Sequence, residues 1–231
     1  MQPSISHPPD TGAGTAGSPL SFSRITKHYG DVVALADFSL DVAAGEFVTF
    51  LGPSGSGKTT ALNILAGFID PTAGEVTIDG VSITRLPSEK RNVGMVFQSY
   101  SLFPHMNVRD NVGFPLRMRG VALSRRNDLA EAALAMVRLE GFGDRKPHEL
   151  SGGQRQRVAF ARAVVFEPRV LLMDEPLGAL DLKLREAMQD EIRQVQRRIG
   201  CTVIYVTHDQ GEALAMSDRI VVMSEGRIEQ I

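Results

Sequence analysis

The stretch Gly52-Pro53-Ser54-Gly55-Ser56-Gly57-Lys58-Thr59 has the spacing of a phosphate-cradling loop: glycine, four residues, glycine, lysine, then serine or threonine. Gly52, Gly55 and Gly57 admit backbone angles closed to other residues, so successive N–H groups can converge on phosphate oxygens. The N-terminus of the helix expected from Thr60 onward adds positive potential. Lys58 would reach the β and γ phosphates as a point charge, and the Thr59 hydroxyl would complete the shell of a Mg²⁺ ion. Thr60 joins the candidate nucleotide-binding set at the start of that helix. Further along, Val170-Leu171-Leu172-Met173 is an apolar run that closes on Asp174 and Glu175. Two acids at the end of a buried strand suit a metal ligand (Asp174) and a general base that polarises an attacking water (Glu175).

Two other segments are chemically ambiguous when taken alone. Leu150-Ser151-Gly152-Gly153-Gln154 has Ser151 three residues ahead of Gln154, a capping-box pattern for the next helix. Two glycines in a first helical turn cost about 1 kcal/mol each against alanine, which suggests bare backbone approaching something anionic. The segment reads equally well as an ordinary capped helix start. His208 ends the apolar run Thr202–Thr207. A histidine there is usually structural, hydrogen-bonded in a turn, and alone it assigns no chemistry.

The elements that must position these residues alternate between strand-like and helix-like periods. Leu20–Ile25, Ala34–Val42 and Glu46–Leu51 read as strands, with turn signals at Gly30-Asp31 and Ala44-Gly45, and form a small antiparallel element feeding the loop. Gly74–Gly80 predicts a strand and turn, and Asn92–Phe97 a strand that ends at Gln98. The pattern turns helical between Ser99 and about Gly143. The clearest helix runs from Ser124 to Leu139, with Ser124 as its cap, Leu129, Ala133, Met136 and Val137 on one face, and Arg125, Arg126, Asp128, Glu131 and Arg138 as its solvated side. Leu184, Met188, Ile192, Val195 and Ile199 mark another helix closed by Gly200, and Arg219–Met223 is read as the final strand. Residues 1–19 hold four prolines and three glycines and read as a disordered tail.

Composition narrows the class. The chain has 231 residues, 43% hydrophobic and 23% charged, with a formal net charge of −2, as expected of a soluble globular protein. That balance argues against a general nucleic-acid binder. The single cysteine, Cys201, excludes an internal disulfide framework, makes the cytosol the simplest compartment and reads as core. No apolar run is long enough to span a membrane, and the start lacks a secretion signal.

With these motifs in order, the chain resembles the nucleotide-binding subunit of an ATP-binding cassette transporter from about Leu20 to its last residue. The resemblance implies an α/β fold: a P-loop NTPase core of mixed sheet and flanking helices (about 20–98 and 160–231), an N-terminal antiparallel β element, and an inserted α-helical subdomain (about 99–159). It implies ATP as substrate with Mg²⁺ held by Thr59, Gln98 and Asp174, and adenine stacked on Tyr29. Gln98 would join the metal and the attacking water to the helical subdomain, and Ser99–Val108 would lie near a membrane permease. His208 would contact the γ phosphate beside Glu175, and Asp181 would cross a dimer interface.

Leu150 to Gln154 would bind ATP held by the loop of a second copy, so that two head-to-tail chains enclose two nucleotides. The segments Gln98–Met106 and Pro147–Gln154 resemble importers of the maltose and spermidine/putrescine group. This implies a peripheral protein on the cytoplasmic face of a bacterial inner membrane, with solute delivered by a separate binding protein. Polyamine is the leading solute, with sugar, ferric iron and sulfate as alternatives and a non-transport cassette ATPase further behind. Members of the group usually continue into a β-rich regulatory domain, expected here to be missing. Gly178, in the loop Leu177 to Asp181, replaces a serine common in the family, which keeps the turn and loses one hydroxyl.

Overall fold

The computed structural model describes residues 17–178 and 180–231. In chain order the elements are β1 (Leu20–Tyr29), β2 (Val32–Val42), β3 (Phe47–Leu51), α1 (Lys58–Ala66), β4 (Ala73–Ile78), β5 (Val81–Ser82), β6 (Val93–Val96), α2 (Val108–Met118), α3 (Leu123–Met136), α4 (Gly152–Val164), β7 (Val170–Asp174), α5 (Leu182–Ile199), β8 (Thr202–Thr207), α6 (Gln210–Met216), β9 (Arg219–Ser224) and β10 (Arg227–Gln230). They form two sheets. One is antiparallel, in the order β2-β1-β4-β5; the other runs β10-β9-β3-β8-β7-β6 and is parallel except for β10.

Period-two alternation explains why the parallel strands read as continuous apolar runs: successive side chains go to opposite faces, and both faces are covered. Val170 and Leu172 of β7, Ile204 and Val206 of β8, and Val48 and Phe50 of β3 join α1 and the antiparallel sheet in one core. There Phe38 packs edge-on to Phe22 and Phe50, with ring centroids 5.2 and 5.7 Å apart. Leu171, Met173, Val203, Tyr205 and Phe47 face the other way, into a second core with residues of α2 to α5.

The structure revises several expectations. α3 starts at Leu123 with Ala122 before it, so Ser124 lies inside the first turn and caps nothing. The same helix stops at Met136, because Arg138 enters the left-handed region (φ 57°) and Leu139 turns back into the core, its N–H donating to the Leu134 carbonyl at 2.9 Å. Arg219–Met223 is not the last strand: the Glu225-Gly226 turn sends β10 back antiparallel along β9. The division expected at residue 159 falls within the single helix α4, which packs on α2 and α3 as well as on β6.

The expected N-terminal tail lies outside the described residues up to position 16. Gly17 and Ser18 are buried: the Gly17 N–H donates to the Gly200 carbonyl at 2.8 Å, and the Ser18 hydroxyl donates to Asp79 at 2.7 Å. Cys201 is buried just before β8, where burial pushes its thiol up to about 11, so it stays protonated and inert. No helix among the described residues is long and apolar enough to cross a membrane.

Candidate nucleotide site

The parallel register brings the chemistry to one edge. Leu51 pairs with Thr207, Val206 with Asp174, and Met173 with Val96, so β3, β8, β7 and β6 end side by side. These four strands lead into the phosphate loop, His208, Glu175 and Gln98 respectively. The carboxyl ends of parallel strands are where open α/β sheets hold ligands, because loops and helix N-termini converge there.

The loop is wedged between the antiparallel sheet and the β9–β10 turn. Gly57 takes φ 98°, and a Cβ on it would lie 2.6 Å from the Ala34 carbonyl, so both the angle and the close approach demand glycine. Gly52 differs from the expectation. It does not have a positive φ, and its glycine is required because a Cβ would strike the Met223 carbonyl and come within 2.8 Å of the Ser56 hydroxyl. Ser56 is buried and its carbonyl accepts the Gly226 N–H at 3.2 Å, which ties the loop to β10. Pro53 and Ser54 form the exposed crown with Gly55, itself at φ 82°.

Lys58, the first residue of α1, is 4% exposed and folds its ammonium back into the loop, donating to the Gly52 and Pro53 carbonyls at 2.7 Å each and to the Ser56 hydroxyl at 3.4 Å. Burial pushes its pKa down, while the nearby Glu175 and Asp174 carboxylates hold it up. Next to it the Thr59 hydroxyl donates to Asp174 Oδ1 at 3.1 Å. Burial raises the Asp174 pKa, Glu175 adds to the rise, and the Thr59 hydrogen bond and Lys58 oppose it. Thr59 and Asp174 thus present a hydroxyl and a carboxylate side by side. These are hard oxygen donors that suit Mg²⁺, an ion that takes one or two protein oxygens beside phosphates and waters.

Glu175 comes directly after β7 in a left-handed conformation (φ 43°), uncommon for a residue with a side chain, and its N–H is anchored on the Val206 carbonyl at 3.0 Å. This turns its carboxylate between two neighbours. Gln98 Nε2 donates to one oxygen at 3.3 Å, and His208 Nδ1 lies 3.3 Å from the other. The backbone on either side of His208 is fixed by a buried network that the motifs did not signal. Glu212 accepts from the Tyr205 and Thr207 hydroxyls at 2.7 and 2.8 Å, and Arg185 reaches from α5 to Asp209 at 3.0 Å and to the Leu180 carbonyl at 3.2 Å. Burial, reinforced by Glu212, pushes the Tyr205 phenol well above its usual range, so it remains a donor. The available signal was local: Asp209 lies three residues ahead of Glu212, the spacing of a helix cap, and the Asp209 carboxylate accepts the Glu212 N–H at 3.0 Å.

The structure brings together Lys58, Thr59, Asp174, Glu175, Gln98 and His208. Among the described residues no hydrogen bond or ion pair links Tyr29, Asp181 or Leu150–Gln154 to this group. Tyr29 ends β1 with its ring half exposed and the Lys27 ammonium 5.0 Å from its centroid. Asp181 caps α5, its carboxylate accepting the Leu184 N–H at 3.0 Å. Among the described residues, no hydrogen bond or ion pair joins Leu150–Gln154 to the phosphate loop of the same chain. The capping box is present: the Ser151 hydroxyl accepts from the Gln154 N–H at 3.3 Å, and the Gln154 side chain accepts from the Ser151 N–H at 2.9 Å.

The two glycines of that turn separate. A Cβ on Gly153 would lie 2.5 Å from Leu184 Cδ2, so contact with α5 within the chain explains it, whereas Gly152 faces open space. In Gly153→Ala the same helix-propensity gain as at Gly152 is offset by the shift that the Leu184 tip must make, so this variant is expected to be the less stable of the two by up to about 1 kcal/mol. Gly152→Ala is expected to stabilise it by up to about 1 kcal/mol through helix propensity. Urea unfolding of both variants checks the order of the midpoints, and equal midpoints would dismiss the Leu184 explanation.

A phosphate loop leading into α1, two acids closing a central strand and a helical region packed on one face of the sheet define a P-loop nucleotide-binding domain. Residues 35–178 match the ABC transporter family, and the chain belongs to it. It is similar to the spermidine/putrescine import ATP-binding protein PotA of Lawsonia intracellularis, 55% identical over 215 residues that cover 93% of this chain and 58% of that protein. The protein of the same name from Chromobacterium violaceum is 56% identical over 212 residues, covering 92% and 59%. The chain thus spans under two thirds of the length of these relatives. Among solved structures it resembles the dimeric post-hydrolysis state of the ATP-binding cassette MJ0796 bound to ADP and Pi, with 36% identity, a TM-score of 0.81, and coverage of 91% of this chain and 97% of that one.

Proposed function

We propose that this chain is the ATP-hydrolysing subunit of a solute importer and that the solute is a polyamine. The observation that carries the hydrolytic reading is the placement of Glu175, one carboxylate oxygen by Gln98 and the other by His208, beside Lys58 and the Thr59–Asp174 pair. The polyamine reading is supported by the spermidine/putrescine import function in the names of its relatives.

In this reading the loop amides, Lys58 and Thr60 bind the triphosphate and Tyr29 stacks on the adenine. Thr59, Asp174 and Gln98 would hold Mg²⁺, which would supply charge neutralisation at the phosphates. Glu175 accepts a proton from water as the water oxygen bonds to the γ phosphorus, and the bond from that phosphorus to the bridging oxygen breaks, leaving ADP and phosphate. His208 orients the water and bonds a γ-phosphate oxygen, and Lys58 offsets the developing charge. Leu150, Ser151, Gly152, Gly153 and Gln154 of a second copy close over the nucleotide, and Asp181 lies at the junction. ATP then joins two chains and its hydrolysis releases them. A permease docked on the helical region, together with a separate solute-binding protein, places the subunit on the cytoplasmic face of the membrane.

The test is reconstitution of the full chain with a candidate polyamine permease and solute-binding protein from the same genome. Labelled putrescine or spermidine should enter vesicles only with MgATP on the side of this chain. Uptake of maltodextrin, sulfate or ferric iron in place of polyamine would replace the solute, and absence of MgATP hydrolysis would remove the enzymatic reading.

A further inference from the structure

α4 carries a guanidinium where its neighbours are apolar. Arg162 stands among Phe160, Ala161, Ala163 and Val164, is 7% exposed, and has no carboxylate within ion-pair distance among the described residues. Burial pushes its pKa down to about 10. Its partners are two consecutive backbone carbonyls: Nη1 donates to Ser101 at 2.7 Å and Nη2 to Tyr100 at 2.8 Å, with the Phe103 ring centroid 5.6 Å from the guanidinium carbon. Both residues sit in the left-handed region, at φ 62° for Tyr100 and 45° for Ser101. Two adjacent residues with side chains stay there only when the surroundings over-determine them: the planar fork of Arg162 holds both carbonyls, beside the Tyr100 N–H on the Phe97 carbonyl at 3.0 Å and the Ser99–Ser101 hydroxyl pair at 3.2 Å. If bulk alone were needed, an apolar residue would fill the place without desolvating a charge.

The held carbonyls begin two residues after Gln98, the group that donates to Glu175 at 3.3 Å. α4 itself starts at the Ser151–Gln154 capping box and runs unbroken to Val164. We propose that Arg162 is a positioning residue for hydrolysis: it fixes the Tyr100-Ser101 turn to α4 and thereby holds the Gln98 amide against Glu175. The inference rests on the hydrolytic reading above. It makes α4 a single lever, with the turn that would face a second copy's ATP at one end and the strut to the general base near the other.

The experiment is a double-mutant cycle between Arg162→Met and Gln98→Ala, read by steady-state MgATP hydrolysis on the purified full chain, with rates scaled to the ATP-binding fraction. Arg162→Met is expected to lower kcat by about tenfold while KM changes by less than about threefold. In the Gln98→Ala background the same substitution should lower kcat no further, because its route to Glu175 has already been removed. Arg162→Lys, which keeps the charge and loses the fork, should fall between wild type and Arg162→Met, and it takes the place of Arg162→Met in the cycle if that variant does not fold. Additive losses, or an unchanged kcat with only a lowered unfolding midpoint, would overturn the proposal and leave Arg162 as a packing residue. A wild-type chain that hydrolyses no ATP would refute the hydrolytic reading instead, which separates the two failures.

Discussion

Glu175→Gln is expected to reduce kcat for ATP hydrolysis by about 10²–10⁴, the range for loss of a general base, while ATP binding persists. The geometry makes this substitution unusually clean. The new amide matches the shape of the carboxylate, its oxygen can still accept from Gln98 Nε2, and its NH₂ can donate to His208 Nδ1 where Glu175 now lies 3.3 Å from each partner. The left-handed backbone, anchored on Val206, does not depend on the side-chain charge. The substitution removes the proton acceptor, together with one negative charge beside Lys58 and Asp174. Less repulsion of the triphosphate should tighten binding, so a variant that cannot hydrolyse ATP should accumulate as the ATP-bound dimer. Single-turnover phosphate release and light scattering with MgATP measure the two effects. Turnover within tenfold of wild type would remove Glu175 from the role of base.

That constellation was legible in the sequence to an unequal degree, for physical reasons. A phosphate loop is local: its glycines, lysine and hydroxyl act within one turn of chain, so spacing alone states the geometry. The parallel strands were legible because burial on both faces leaves apolar runs, and the end of one marked Asp174 and Glu175 as candidates, whereas His208 and Gln98 took roles only from the family resemblance. No short-range pattern shows that Glu175, His208 and Gln98 meet, since their contact depends on the neighbouring order of β6, β7 and β8. The same limit hid Arg162, whose partners are 61 and 62 positions away, and the reason for Gly153, which is Leu184 of another helix. Ser124 failed as a cap because cap preference is a weak local signal. Tertiary contacts of Val121 and Leu139 set the ends of that helix.

Lys58→Ala should weaken ATP binding by at least about 100-fold, since charge-assisted hydrogen bonds to phosphate oxygens contribute about 1.5–3 kcal/mol each. The lysine is already held in the loop, its ammonium on the Gly52 and Pro53 carbonyls, so it is ordered before the ligand arrives and little further freedom is lost when phosphate oxygens replace or join those acceptors. Burial lowers its pKa. An incoming triphosphate works against that by stabilising the charged form, so binding strengthens the charge that binds it. The Gly52 and Pro53 carbonyls and the Ser56 hydroxyl lose the ammonium, but the loop backbone keeps the Gly226 N–H on the Ser56 carbonyl and the Ser56 N–H on the Pro53 carbonyl, so the fold should survive the change with reduced stability. Equilibrium dialysis with labelled ATP, paired with thermal unfolding, tells a lost ligand contact from a collapsed loop. A large loss of affinity with a cooperative transition at a modestly lowered melting temperature is the expected pair. Unchanged affinity would mean that the loop does not bind through Lys58, and the assignment of Gly52 to Thr60 as the nucleotide site would fall with it.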